Sequence, residues 1–257
     1  MRSWLAIDIG NTQTVAGRYS VPQPGTSSRV LEAVEIIRFK TQKDLTPAQW
    51  LECLAPLFIG PIDQIHVASV VPSVRPVLEK AFEGTSWHWL DSRSKLPFEL
   101  ALPHPDQLGA DRIANVAGAL GRHTPPFVIV DAGTATTFCV VDARSRYIGG
   151  SITPGMETSF HSLASKASRL FEVQWTRPPQ ALGNTTETQL QSGIVHAHEA
   201  LIEGMTARLL ADAGISQARL LLTGGCANYI RPVGFEFIPT LTLEGLVRIG
   251  LLAEAKA

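Results

Sequence analysis

The sequence predicts an α/β protein made of a duplicated unit. Three observations predict it. Two short apolar runs, Trp4-Leu5-Ala6-Ile7 and Phe127-Val128-Ile129-Val130, lead into Asp8-Ile9-Gly10-Asn11-Thr12 and Asp131-Ala132-Gly133-Thr134-Ala135. Asp131 follows Asp8 by 123 residues, close to half of the 257-residue chain. Each Asp-x-Gly turn is followed by another β-rich run, Thr14 to Tyr19 in one case and Thr136 to Val141 in the other. One such match is a common hairpin turn, whereas two at a half-chain offset point to duplication.

The remaining elements follow in order. Glu35 to Phe39 reads as a strand. Pro47 to Phe58 has helical apolar spacing, with Thr46 as N-cap and Pro at N1. Ile65 to Val71 is a strand stopped by Pro72, Ser73 to Phe82 a helix and Trp87 to Leu90 a short strand. Gly109 to Leu120 is a helix with Ile113, Val116, Ala117 and Leu120 on one face. In the second half, Tyr147 to Ile152 is strand-like, and Pro154 opens a helix through about Leu170. Arg177 to Gly183 is a Pro/Gly-rich loop. A long helix runs from about Thr186 to Ala213. Arg219 to Leu222 and Phe235 to Ile238 are strands, and Leu243 to Ala255 is a closing helix. Strands and then helix, strand, helix in each half is the order of a ribonuclease-H-like unit. The breaker cluster His123-Thr124-Pro125-Pro126 places the boundary, giving domains 1–123 and 124–257.

Composition narrows the function. Lys and Arg total 22 and Asp and Glu 23, a net charge of −1, which argues against a broad basic face for nucleic acid. Hydrophobic residues make up 45%, enough for a sizeable core, and charged residues 18%, too few for a solvating, disordered chain. No apolar run approaches the roughly 18–20 residues of a membrane span, and the N-terminus lacks the pattern of a signal peptide. Three cysteines, Cys53, Cys139 and Cys226, are far apart and show neither zinc spacing nor a disulfide framework. A reduced, cytoplasmic protein with no nucleic-acid or membrane partner is expected.

The two Asp-Gly-Thr turns are candidate phosphate loops. Gly10 lets the backbone reverse and expose N–H groups to phosphate oxygens, and Asn11 and Thr12 add side-chain donors. Asp8 suits Mg²⁺, which prefers carboxylate and water oxygens. Either turn alone fits an ordinary hairpin; the pair fits two turns holding a polyphosphate between two domains. Neither a Walker A loop nor a Gly-x-Gly-x-x-Gly string after a strand is present. Thr223-Gly224-Gly225 after a strand adds a third glycine cluster suited to a nucleotide.

Gly109-Ala110-Asp111-Arg112 opens an amphipathic helix. Asp111 in the first turn favours the helix dipole, which is one explanation for it. The other is chemical: phosphoryl transfer to an alcohol needs a carboxylate beside the hydroxyl, and Arg112 can clamp an anionic substrate group. Other polar residues are less telling. His196 and His198 point about 200° apart on a helix and do not share a metal. His66 and Cys139 lie in apolar strands and read as core, Cys226 as packing, and Trp87 and Trp89 as one strand face.

Taken together, these motifs resemble the type III pantothenate kinases of the acetate and sugar kinase/Hsp70/actin superfamily. The resemblance covers essentially the whole chain. It runs through Asp8 to Thr12, Ala68-Ser69-Val70-Val71-Pro72, Leu108 to Arg112, Asp131 to Ala135 and Gly149-Gly150-Ser151-Ile152-Thr153-Pro154-Gly155. It continues through Gly183 to Gly193, Thr223-Gly224-Gly225 and Leu243-Glu244-Gly245-Leu246. It implies two actin-like ATPase domains and ATP-dependent phosphorylation of pantothenate at its primary hydroxyl, the opening step of coenzyme A synthesis.

By that resemblance, Asp8, Ile9, Gly10, Asn11, Thr12, Gln13, Thr14 and Val15 line the ATP phosphates, with Asp8 on the Mg²⁺ side, and Thr134 contacts ATP. Gly109, Ala110, Asp111 and Arg112 contact pantothenate, Asp111 being the general base. Asp131 binds a monovalent cation, K⁺ or NH₄⁺, and Thr186 falls on a substrate-binding threonine. The family forms a homodimer whose partner subunit completes the pantothenate pocket. One departure stands out: the family usually has an aromatic nine residues before the catalytic Asp, and here that residue is Leu102. A leucine keeps apolar contact but has no phenolic hydroxyl to donate. The alternatives are another small-molecule kinase of the superfamily, and a catalytically inactive regulatory paralogue. The latter should have lost Asp8, Asp111 or Asp131, and all three are present.

Overall fold

The computed structural model describes residues 1–22, 31, 33–167, 171 and 173–255. Its contacts define two compact units: Met1–His123 together with the segment from Thr240 onward, and Thr124–Pro239.

The first unit contains β1 (Arg2–Ile9), β2 (Gln13–Val21), β3 (Ala33–Lys40), α1 (Pro47–Leu54), β4 (Gln64–Ser69), α2 (Arg75–Ala81), β5 (Ser86–Trp89), the two-residue β6 (Glu99–Leu100) and α3 (Ala110–Arg122). Five of the strands form a sheet in the order β3-β2-β1-β4-β5. The central strand β1 is antiparallel to β2 and parallel to β4. Its alternation sorts its side chains. Leu5, Ile7 and Ile9 enter one core with Trp50 and Leu54 of α1 and Leu78 of α2. Trp4, Ala6 and Asp8 therefore face the opposite side of the sheet.

The second unit contains β7 (Phe127–Ala132), β8 (Ala135–Val141), β9 (Arg146–Pro154), α4 (Met156–Lys166), α5 (Thr186–Asp212), β10 (Arg219–Thr223) and β11 (Phe235–Phe237). These strands run β11-β10-β7-β8-β9. Here β7 is antiparallel to β8 and parallel to β10, so β7 repeats the pairing of β1. Val128, Val130 and Phe138 of this sheet pack with Ile194 and Ile202 of α5 in a second core.

Three expectations need correction. The helix from Pro47 is capped as expected, by Thr46 in a capping box with Gln49, but it ends at Leu54. Residues Ala55–Leu57 tighten into a 3₁₀ turn, because Pro56 has no N–H for an α-helical bond. Pro154 opens no helix: it is the last residue of β9, opposite Ala135, and α4 begins at Met156 behind Gly155. That helix ends at Lys166, and residues 168–170 of its expected end lie outside the described residues.

The last concerns the closing helix, α6 (Leu241–Glu254). Division of the chain at 123/124 assigns it to the second domain, whereas its contacts belong to the first unit. Its buried Leu241, Leu243, Leu246, Val247 and Ile249 need an apolar partner. They find it on the face of the first sheet opposite α1 and α2, where Gly250 lies against the His66 ring.

Candidate active site

The first site begins at the carboxyl end of β1. Ile9 pairs with Thr14, so residues 10–13 form the β1–β2 turn, closed by the Gly10 N–H donating to the Gln13 carbonyl at 3.0 Å. A Cβ on Gly10 would lie 3.0 Å from that carbonyl oxygen, which explains the glycine. The turn is braced by a neighbouring loop. The Thr41 N–H donates to the Thr12 carbonyl at 2.9 Å, and the Thr14 and Thr41 hydroxyls meet at 2.9 Å. Gln13 accepts from Arg38 Nη1 at 2.9 Å. Of the residues expected to line phosphate, the side chains of Ile9 and Thr14 are fully buried, so any contribution from them comes through backbone groups. Asp8, Gly10, Thr12 and Val15 are half-buried, and Asn11 and Gln13 are exposed.

Two contacts bring the start of α3 to the same edge. The Val70 N–H, just past β4, donates to the Ile9 carbonyl at 3.1 Å. A Cβ placed on Gly109 would touch Val70 Cγ1 at 3.9 Å. Gly109 is the N-cap of α3, and Asp111 stands in its first turn. The Asp111 carboxylate folds back over this turn and accepts from the Arg112 N–H at 2.8 Å. It occupies the space a side chain at 109 would need: a Cβ there would lie 2.4 Å from Asp111 Oδ1. Gly109 therefore leaves the carboxylate room to take this direction, in which the Arg112 N–H holds it. Ala110 is buried, whereas Leu102, Asp111 and Arg112 are half-buried and open to a ligand.

The second unit repeats the turn with tighter walls. Asp131 lies in register with Thr137 of β8 and Thr223 of β10. Gly133 donates to the Ala135 carbonyl at 3.1 Å. The Thr134 carbonyl accepts from the Gly155 N–H at 3.0 Å and from the Thr158 hydroxyl at 2.7 Å. A Cβ on Gly155 would lie 2.1 Å from the Gly133 carbonyl oxygen. Gly224, at φ +97°, has the Asp131 carboxylate where a Cβ would be, at 2.5 Å. The Asp-Ala-Gly-Thr turn, the Thr-Gly-Gly turn and the glycine after β9 thus form one cradle around Asp131, with Thr134 exposed.

Gly155 and Thr41 were not singled out as site residues from the sequence. Gly155 ends the Gly149-Gly150-Ser151-Ile152-Thr153-Pro154-Gly155 run, whereas nothing local to Thr41 marks it. Thr186 is exposed at the first position of α5, behind the Thr185 cap.

The histidines divide as their environments dictate. His198 Nε2 meets the buried Thr136 hydroxyl at 2.8 Å, whereas His196 turns to Glu199 at 3.3 Å and to the Pro178 carbonyl at 3.1 Å. Burial lowers the His198 pKa. His66 is only half satisfied: Nε2 meets Gln64 at 3.1 Å, but Nδ1 has no hydrogen-bond partner among the described residues. Burial, with a smaller contribution from His88, pushes His66 down to about 3. No helix among the described residues is long and apolar enough to cross a membrane.

Comparison with known proteins bears on this geometry. The type III pantothenate kinase family matches residues 4–208. A type III pantothenate kinase from Thermomicrobium roseum is 34% identical over 258 residues, covering 94% of each chain. Among solved structures, a protein from Campylobacter jejuni assigned to the Baf family of transcriptional activators gives a TM-score of 0.54 at 22% identity, covering 95% of this chain and 96% of that one. A ROK family glucokinase from Streptomyces griseus, in complex with glucose and AMPPNP, gives 0.54 at 11% identity, covering 97% and 98%. At these identities the two structures speak to fold alone, and that fold is the duplicated ribonuclease-H-like one.

Proposed function

The chain belongs to the type III pantothenate kinase family and so phosphorylates pantothenate with ATP in coenzyme A biosynthesis; we propose that Asp111 is the general base of that step. One observation carries the assignment: the Asp111 carboxylate takes the room Gly109 leaves at the edge where β1 ends in its phosphate turn. In this reading the substrate's primary hydroxyl donates to Asp111. As the hydroxyl oxygen bonds to the γ-phosphorus, its proton passes to the carboxylate. The bond from the γ-phosphorus to the bridging oxygen breaks, and ADP leaves with that oxygen. Arg112, next to the base, pairs with the substrate carboxylate.

The backbone groups of residues 10–13, with Asn11 and Thr12 side chains, bind phosphate, and Thr134, exposed at its own turn, takes part in ATP binding. Carboxylate oxygens at Asp8 fit a divalent ion, and the glycine-walled carboxylate of Asp131 fits a monovalent one such as K⁺ or NH₄⁺. When bound, such ions offset phosphate charge where the chain has no P-loop lysine.

The exposed Thr186 fits a pocket completed by a second copy of the chain. An apolar groove of about 320 Å³ between α4 and α5, lined among others by Met156, Phe160, Leu163, Leu190, Ile194 and Leu201, supports such a homodimer. Leu163 and Leu201 are exposed there, 49% and 36%. The use of ATP and the wide sequence spacing of Cys53, Cys139 and Cys226 support a cytoplasmic site of action.

The test is ATP consumption with pantothenate and Mg²⁺, in K⁺ or in Na⁺. Pantothenate-dependent turnover that needs K⁺ and falls in Asp131→Asn is the expected result. Equal turnover in both salts removes the cation role of Asp131. Sedimentation of the purified chain as a monomer removes the dimer.

A further inference from the structure

The Leu243-Glu244-Gly245-Leu246 motif and the helix that carries it have no part in the site described so far. They pack against α3, the helix that bears Asp111. Two glycines, one from each helix, let the backbones touch. A Cβ on Gly118 of α3 would lie 2.3 Å from the Leu241 carbonyl oxygen, and one on Gly245 of α6 would lie 1.8 Å from the Ala114 carbonyl oxygen. Ridges of larger side chains would hold helices of this size apart at about 8–10 Å and allow them to slide. Here the backbones approach so closely at the two glycines that a side chain at 118 or 245 would force the helices apart.

Polar contacts fix the same register. The Thr242 hydroxyl donates to Asn115 Oδ1 at 2.7 Å, and Asn115 is fully buried. At the far end of α3, Glu244 is 1% exposed and accepts from Arg122 Nε at 2.7 Å, Arg122 Nη2 at 2.6 Å and the Thr240 hydroxyl at 2.5 Å. Asn115 stands four residues after Asp111, so the two share one face of α3, a single turn apart. A buried carboxamide is exacting, because its hydrogen bonds hold in one rotational setting of the helix. Asp111, one turn away on a rigid helix, inherits that setting.

We propose that the Thr242–Asn115 hydrogen bond is a positioning element for phosphoryl transfer, holding α3 at the rotation that aims Asp111 at the substrate hydroxyl. The inference rests on Asp111 being the base. Neither Thr242 nor Asn115 touches the substrate; both act through the helix.

Thr242→Val keeps the shape and removes the donor, and Thr242→Ser keeps the donor. Displacement of a reacting group by 1 Å can cost about 100-fold in rate. Thr242→Val is therefore expected to lower kcat about tenfold or more with ATP affinity, measured by titration without pantothenate, within about twofold of wild type. Thr242→Ser should restore kcat. Glu254→Gln, which weakens the contacts of α6 with Arg2 and Gln64, serves as the stability control. It should lower Tm without lowering kcat. Full kcat in Thr242→Val overturns the proposal, as does a kcat loss in Glu254→Gln equal to that of Thr242→Val at the same Tm. If Thr242→Val yields no folded protein, Thr242→Ala answers the same question with less bulk. Asp111→Asn is measured in parallel. Turnover retained by Asp111→Asn overturns the base itself, whereas an inactive Asp111→Asn beside a fully active Thr242→Val overturns only the positioning role.

Discussion

At the scale of single residues, the site is defined as much by missing side chains as by present ones. With Asp111 as the proposed base, its removal should be specific. Asp111→Asn is expected to lower kcat by about 10²–10⁴, the usual worth of a general base, with ATP affinity retained. Gly109→Ala is the subtler test. Gly109 has φ −60° and ψ 145°, allowed for any residue, so alanine brings no backbone strain. Its Cβ would nonetheless fall 2.4 Å from Asp111 Oδ1 and force the carboxylate to turn. Loss of the glycine cap costs under about 1 kcal/mol. We expect kcat to fall by about tenfold or more while Tm barely moves, checked by steady-state kinetics beside a thermal melt. Unchanged kcat in Gly109→Ala would show that the carboxylate's direction does not matter. Asp8 and Asp131 stand out in the sequence because each follows an apolar run and is followed, after one residue, by Gly-x-Thr or Gly-Thr. What each glycine excludes was not legible: Gly224 protects Asp131 from across 93 residues of chain, and only the β7–β10 pairing reveals it.

At the scale of elements, the sequence is most readable where one local rule acts alone. Thr46-Pro47 with Gln49 writes a helix start, and the structure has the full capping box. Short apolar runs that end in the Asp-x-Gly turn, each followed by a β-rich run, write the β1–β2 and β7–β8 hairpins. Pro154 shows the limit: the same residue type that opens α1 at Pro47 closes β9, because pairing with Ala135 decides it. The α3–α6 pair was not readable either, since its two close-contact glycines lie 127 residues apart. The energetics of that pair can be tested at its ion pair. Glu244 is buried and Arg122 keeps 28% of its side-chain exposure. Removal of one partner of a buried pair costs about 3–5 kcal/mol, and the partial exposure of Arg122 places Glu244→Leu near the low end, about 3 kcal/mol. Denaturant melts should register it. Arg122→Met combined with Glu244→Leu should recover much of the loss, since the unpaired guanidinium is then gone. No recovery in the double variant would mean that the pair contributes stability of its own rather than geometry alone.

At the scale of the whole molecule, both units bury a neutral histidine, and this sets how the protein meets acid. His66 and His88 lie in the first unit and His198 in the second, and burial lowers the pKa of each, a neighbouring Asp91 partly opposing it at His88. Opposite His66 stand His88 and the Trp4 ring, with Gln64 linking it to Glu254 of α6. In the unfolded chain such a histidine titrates near 6.5; in the folded chain His66 does so at about 3. Between those values the unfolded state binds the extra proton. The His66 contribution is therefore complete above about pH 6.5 and is lost as pH falls, at up to about 1.4 kcal/mol per pH unit, and His88 and His198 act in the same direction. Carboxylates enter later. Burial acts to raise Glu199, but hydrogen bonds from Arg177, the Arg231 N–H and His196 outweigh it and hold the pKa down, so its contribution is lost only below the ordinary glutamate range. Between about pH 6.5 and 4.5 the lowered pKa of His66 makes the folded chain less stable as acid is added. Tm should fall steadily across that window, and His66→Gln, which keeps a neutral polar side chain, should flatten the fall. The check is a set of melts at half-unit pH steps for both proteins. Parallel curves for wild type and His66→Gln would mean that the ring remains neutral in the unfolded chain or finds a proton acceptor on folding, and the buried, half-satisfied imidazole would then have no part in acid sensitivity.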